Sequence, residues 1–174
     1  FFPELAQLPL FIPILVAVCI CMMFGALNGF LVAQYEMHPF IATLATSVIV
    51  YGSCSLYFDL PPNNSQPIGG GFPGVSILIS IAATITVIIW FVLNKTVFGK
   101  NVYALGGNRE AAVVAGVNVY ATNLFIFVLA AGLYGIAGVL EAARTAGATN
   151  QYGMGYELDA IAACVVGGVS LMGG

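Results

Sequence analysis

The sequence predicts an all-α fold, a polytopic transmembrane helical bundle, and three observations carry that reading. Hydrophobic residues make up 60% of the chain and charged residues only 6%, where a soluble domain carries about 25% charge. The chain holds only four basic and seven acidic residues. Between them lie four charge-free runs of about 20 residues, the length that crosses a bilayer core at about 1.5 Å per helical residue. None of the runs has the polar stripe of a helix on the surface of a soluble protein. A charge at mid-span costs about 2.5–3.5 kcal/mol even on the gentler insertion scale, which is the physical reason for such runs.

The first run, Leu10 to Ala33, sets a span near 10–33. Gly25, Ala26 and Gly29 place small residues where helix backbones approach closely in lipid. Asn28 lies in the same face, and a buried amide in a membrane needs partners. It either ties two helices together or faces a water-filled path. The link Gln34 to Pro39 holds His38 before Pro39, which disfavours helix at His38 and reads as a tight turn. A pH-sensing or ligand role for His38 is the weaker alternative. The second run, Phe40 to Phe58, sets a span near 40–58. Asp59 to Pro73 is rich in Pro, Asn and Gly and has turn chemistry; its Asn63-Asn64-Ser65 matches a glycosylation acceptor, a tripeptide common by chance.

Gly74 to Leu93 sets a third span near 74–93, and Tyr120 to Leu140 a fourth near 120–140. The fourth has Gly132, Gly135 and Gly138 at three-residue spacing, read as one close-packing face. The last run, 158–174, makes about five membrane segments in all. Glu157 and Asp159 stand at its entrance, and Gly167-Gly168 and Gly173-Gly174 interrupt it. Irregular backbone at membrane depth is tolerated where it is buried in protein or lines a cavity, and broken helices mark substrate paths in transporters. The last segment is therefore either broken or re-entrant, or an ordinary span cut by the chain end. Asn28, Glu157, Asp159, Gly167 and Gly168 are the candidates for a translocation path or gate. The chain starts Phe1-Phe2-Pro3 and ends inside an apolar run, which reads as a piece cut at both ends.

Lys and Arg set orientation. Lys95, Lys100 and Arg109 lie between the third and fourth spans, and Arg144 alone lies on the other side. The loop 94–119 is thereby placed in the cytoplasm, together with the link Gln34 to Pro39. The Asp59–Pro73 and Glu141–Glu157 connections fall outside.

Within 94–119, Gly106-Gly107 read as a flexible entry. Asn108 is a good N-cap, Arg109 to Ala115 make about two turns, and Gly116 suits the C′ position. Glu110 suits the helix dipole, whereas Arg109 opposes it. Asn118 is placed to cap the next span. A helix this short does not stand alone in water; it needs a surface to dock on.

Other chemistries are disfavoured. Cys19, Cys21, Cys54 and Cys164 lie in apolar runs without a C-x-x-C pair and read as packing residues. The lone His38 offers no metal cluster. A net charge of -3 on scattered residues does not suggest nucleic acid. No G-x-x-x-x-G-K-[ST] occurs in the sequence, so if ATP drives this protein the ATPase is expected on another subunit, with no cofactor expected on this chain. An ion-coupled carrier or channel would need ionisable groups within the spans. An intramembrane enzyme would need a base beside Ser47, Ser53, Ser55 or Ser170.

Three blocks then resemble permease subunits of bacterial ABC sugar importers, the ribose, xylose and galactose group. They are "GALNGFLVAQYEMHPFIATLAT" (25–46), "GKNVYALGGNREAAVVAGVNV" (99–119) and "GATNQYGMGYELDAIAACVVGGVSLMGG" (147–174). Their order is the family's order. The resemblance implies that 1–174 is part of one transmembrane permease domain in the bacterial inner membrane. It implies a second permease copy, an ABC ATPase subunit, a periplasmic sugar-binding protein, and surrounding lipid. The cargo implied is a monosaccharide such as galactose or a methyl galactoside. By motif, Gly106, Gly107, Asn108, Arg109, Glu110, Ala111, Ala112 and Gly116 belong to the element that couples the ATPase to the permease.

Overall fold

The computed structural model describes residues 11–59, 75–145 and 151–169. Seven helices follow in chain order: α1 (Phe11–Tyr35), α2 (Pro39–Asp59), α3 (Val75–Lys95), α4 (Val97–Gly107), α5 (Arg109–Val114), α6 (Val119–Thr145) and α7 (Tyr156–Val166). The described residues contain no strand. The connection after Asp59, with Asn63-Asn64-Ser65, and the pair Gly173-Gly174 lie outside the described residues.

Four helices are long and apolar enough to cross a membrane: α1, α2, α3 and α6. Each lies over one charge-free run. At 25 residues, α1 is about 37 Å long against a hydrocarbon core of about 30 Å. Pro13 is tolerated because it falls in the first turn, where its missing N–H has no partner to lose. Hydroxyls inside the spans bond back to the preceding turn, as Ser53 to the Ile49 carbonyl at 2.8 Å and Thr84 to Ser80 at 2.8 Å. That satisfies a polar group where lipid cannot. The outward faces are apolar: Met23, Val48 and Tyr134 are each about two-thirds or more exposed. Such a surface suits lipid or a protein neighbour, not water.

The tightest packing joins α1 to α6. A methyl added at Gly25 would collide with Ala131 Cβ and lie 2.7 Å from the Phe127 carbonyl oxygen. One at Gly29 would lie 3.1 Å from Leu124 Cα, and one at Gly135 3.1 Å from Val18 Cα. Here the expected glycine face is corrected. Gly132 has room, with Met22 Cγ at 3.6 Å, and Gly138 has nothing within 4 Å. Three-residue steps drift about 60° per step around a helix of 3.6 residues per turn, so only the middle glycine of that series packs tightly against the α1 backbone, while Gly132 faces the end of the Met22 side chain and Gly138 faces open space. The interlocking set is Gly25 against Phe127 and Ala131, Gly29 against Leu124 and Phe127, and Gly135 against Val18 and Cys21, with small residues four apart on each helix, Gly25 and Gly29 on α1 and Ala131 and Gly135 on α6.

A second correction concerns 94–119, which is mostly helix. After α3 the chain breaks at Thr96 and restarts as α4. Thr96 Oγ1 donates to the Val92 carbonyl at 2.6 Å and accepts from Gly99 N at 3.3 Å, capping α4. Gly99 is buried, and any Cβ there would collide with the Leu93 backbone. Only glycine lets the chain fold back so closely. Phe98 then meets Phe125 edge-to-face at 6.5 Å, seating α4 on α6. Gly106 and Gly107 are the last residues of α4, not a flexible entry.

The fifth apolar run is a short helix. α7 has 11 residues, about 16 Å and roughly half a bilayer core. Gly168 sits at φ 90°. Its N–H donates to the Val165 carbonyl and that of Val169 to Cys164, both at 3.0 Å. This left-handed Schellman stop ends the helix after Val166 and Gly167.

Candidate functional site

Two short elements meet on one side of the bundle: the α1–α2 link and α5. α5 is bounded as its sequence dictates. Asn108 Oδ1 accepts from Ala111 N at 3.0 Å, and the Asn108 N–H donates to the Ala104 carbonyl at 3.1 Å. One residue thus closes α4 and opens α5. Gly116 at φ 81° ends α5, with Gly116 N to Val113 O and Val117 N to Ala112 O both at 3.0 Å. Asn118 Oδ1 then accepts from Ala121 N at 3.0 Å and starts α6. Three caps within eleven residues fix the course of the chain from 108 to 118.

The docking surface that so short a helix requires is its own bundle. Ala112 is 3% exposed, while Val114 is 90% exposed. Arg109, Glu110, Ala111 and Gly116 also face outward. α5 is seated through one small residue and turns charge and valine to the exterior.

Arg109 Nη2 donates to Glu36 Oε1 at 2.7 Å, across 73 residues of sequence. Their side chains are 56% and 69% exposed. This contact puts the link and α5 on one side of the molecule, as the Lys and Arg distribution requires. Nothing in the sequence signals the pair beyond opposite charge and a shared side. His38 is exposed, and its carbonyl accepts from Ile41 N at 3.1 Å and Ala42 N at 3.2 Å to start α2.

The candidate path residues do not form one cluster. Asn28, on α1, faces α2, where Thr46 Oγ1 donates to its Oδ1 at 2.6 Å. The Ala42 carbonyl oxygen is a second acceptor for that hydroxyl at 3.1 Å. Thr46 is buried. The geometry is that of a tie between helices. Glu157 and Asp159 stand in the first turn of α7, where acidic side chains suit the helix dipole. Neither is in an ion pair among the described residues; those pairs are Arg109–Glu36 and Arg144–Glu141. Gly167 and Gly168 form the stop of α7. None of the residues of α7 is buried, and Tyr156 Oη donates to Glu141 Oε1 at 3.4 Å at its entrance. No metal-holding group of His, Cys, Asp and Glu occurs among the described residues.

Four helices long and apolar enough to span, with a capped helical segment beside Arg109, describe a polytopic membrane protein. Residues 3–174 match the family described as branched-chain amino acid transport system / permease component, and the chain belongs to that family. It is a multi-pass membrane protein of that permease family. Its relatives refine the class. The chain is 45% identical to the galactose/methyl galactoside import permease protein of Escherichia coli, over 99% of this chain and 55% of that protein. It is 37% identical to the ribose import permease protein of Haemophilus influenzae, over 97% of this chain and 55% of that one. With the L-arabinose ABC transporter permease protein of Azospirillum brasilense it shares 39% identity, over 86% and 46%. The chain spans about half the length of the curated relatives it matches. No solved structure matches it.

Proposed function

We propose that the protein is the permease subunit of an ATP-driven importer that moves a monosaccharide, galactose or a methyl galactoside or a similar sugar, across the bacterial inner membrane by alternating access. The likeness to sugar import permeases across nearly the whole chain carries this reading. ATP is hydrolysed on a separate ABC ATPase subunit docked on the α5 side. A periplasmic sugar-binding protein delivers the cargo, and a second permease copy completes the path.

α5 is the handle for the ATPase in this reading. Gly106 and Gly107 end the preceding helix, and Asn108 turns the chain. Arg109, Glu110 and Ala111 lie outward, Ala112 anchors the helix, and Gly116 ends it. A rigid helix seated at one point and exposed elsewhere suits a groove on a partner. Asn28 with Thr46 holds α1 to α2, and the α7 entrance with Glu157 and Asp159 and the Gly167-Gly168 stop is the candidate gate.

The full-length protein in liposomes with its ATPase and binding protein tests the proposal. Asn108→Pro or Gly107→Pro is expected to leave membrane insertion intact and abolish sugar-stimulated ATP hydrolysis. Native stimulation in either variant would contradict the role of α5. An ion-coupled carrier is the competing class; uptake driven by an ion gradient without ATP would establish it instead.

A further inference from the structure

We infer that the Glu36–Arg109 pair is a breakable tether through which α5 moves the α1–α2 hairpin, with Glu36 as a positioning residue for coupling; this rests on the permease reading above. Both partners sit where local physics disfavours them. Glu36 has φ 51°, a left-handed backbone that glycine adopts freely and a residue with a Cβ does not. It follows the last residue of α1, Tyr35, where glycine is the usual choice. Arg109 is the first residue of α5, a cation at the positive end of a helix. Each residue breaks a local rule, and one bond of 2.7 Å joins the two. Local strain of this kind points to a site whose surroundings require it.

The pair is poorly suited to serve as a static strut. Both side chains are more than half exposed, and an exposed ion pair shifts an equilibrium by no more than about five-fold. The bundle is held elsewhere, by the glycine contacts of α1 with α6 and by Thr46 on Asn28. A weak bond between two well-built elements can form in one conformation and break in the other. The α1–α2 link is short, and both flanking helices are long, so a pull at Glu36 acts on the end of each. The Asn28–Thr46 tie makes α1 and α2 respond together.

The test is the ratio of sugar taken up to ATP hydrolysed, for the full-length permease reconstituted with its ATPase and binding protein. Glu36→Gly relieves the backbone strain and removes the carboxylate. It is expected to fold at least as well as the native chain, yet to lower the ratio about two- to five-fold. Glu36→Arg combined with Arg109→Glu restores the pair and is expected to recover the ratio, which neither single change does. Raising the salt concentration is expected to lower the native ratio and leave that of Glu36→Gly unchanged. An unchanged ratio in Glu36→Gly, with sugar-stimulated hydrolysis present in the native complex, overturns the tether alone. Absence of stimulation in the native complex overturns the permease reading and the tether with it.

Discussion

The α1–α6 pair and the α5 segment are built by opposite means. α1 meets α6 through backbone, with glycines removed of any Cβ where the other helix passes. α1 carries no charged residue, so that contact should be insensitive to salt. α5 is held by end caps, one buried alanine and one exposed ion pair. The first is a seam that tolerates little change in volume. The second is a seat that can release. The proposed importer needs both, a rigid unit to be moved and a point of attachment that yields.

The seam should break first and hardest. Gly25→Leu forces a side chain into Ala131 and the Phe127 backbone, and overpacking of this kind costs about 3 kcal/mol or more. We expect little folded protein by size-exclusion chromatography in detergent. The seat should respond less in stability than in function. Asn108→Ala removes a cap from α5, worth about 1 kcal/mol, and should lower sugar-stimulated ATPase activity while the melting temperature changes little. The tie between α1 and α2 comes next: Thr46→Val deletes the bond to Asn28 and should cost about 0.6 kcal/mol, the average for such bonds in membranes. The one change expected to cost nothing is Gly138→Ala, which meets nothing within 4 Å. It should be neutral or stabilise by up to about 1 kcal/mol through helix propensity, whereas Gly135→Ala on the same helix should destabilise. Equal effects at 135 and 138 would contradict the assignment of the seam.

What could be read from the sequence follows from the range of each interaction. The spans were legible because charge is costly across a whole bilayer, and four runs lacked it. The caps at Asn108, Gly116 and Asn118 were legible because capping acts within three or four residues. α4 is hard to see in the sequence because Gly99, Gly106 and Gly107 lower helix propensity, which masks the capping signal of Thr96. Gly99 is in a helix for a reason no local rule contains, its closeness to the Leu93 backbone. The glycine face of α6 was misjudged because spacing alone does not say which side another helix covers. Glu36 and Arg109 are 73 residues apart, and only the fold brings them together. The candidate path residues illustrate the same limit: Asn28 pairs with a hydroxyl in α2, far along the chain from α7.

The measurement closest to the central claim is a cross-link. Val114 is 90% exposed on α5, and Met154, 62% exposed, precedes α7 at the other end of α6. A Cys placed at each position in turn, in the full-length protein assembled with its ATPase, should join the ATPase from Val114→Cys and not from Met154→Cys. Cross-linking from Met154→Cys with none from Val114→Cys would contradict the account.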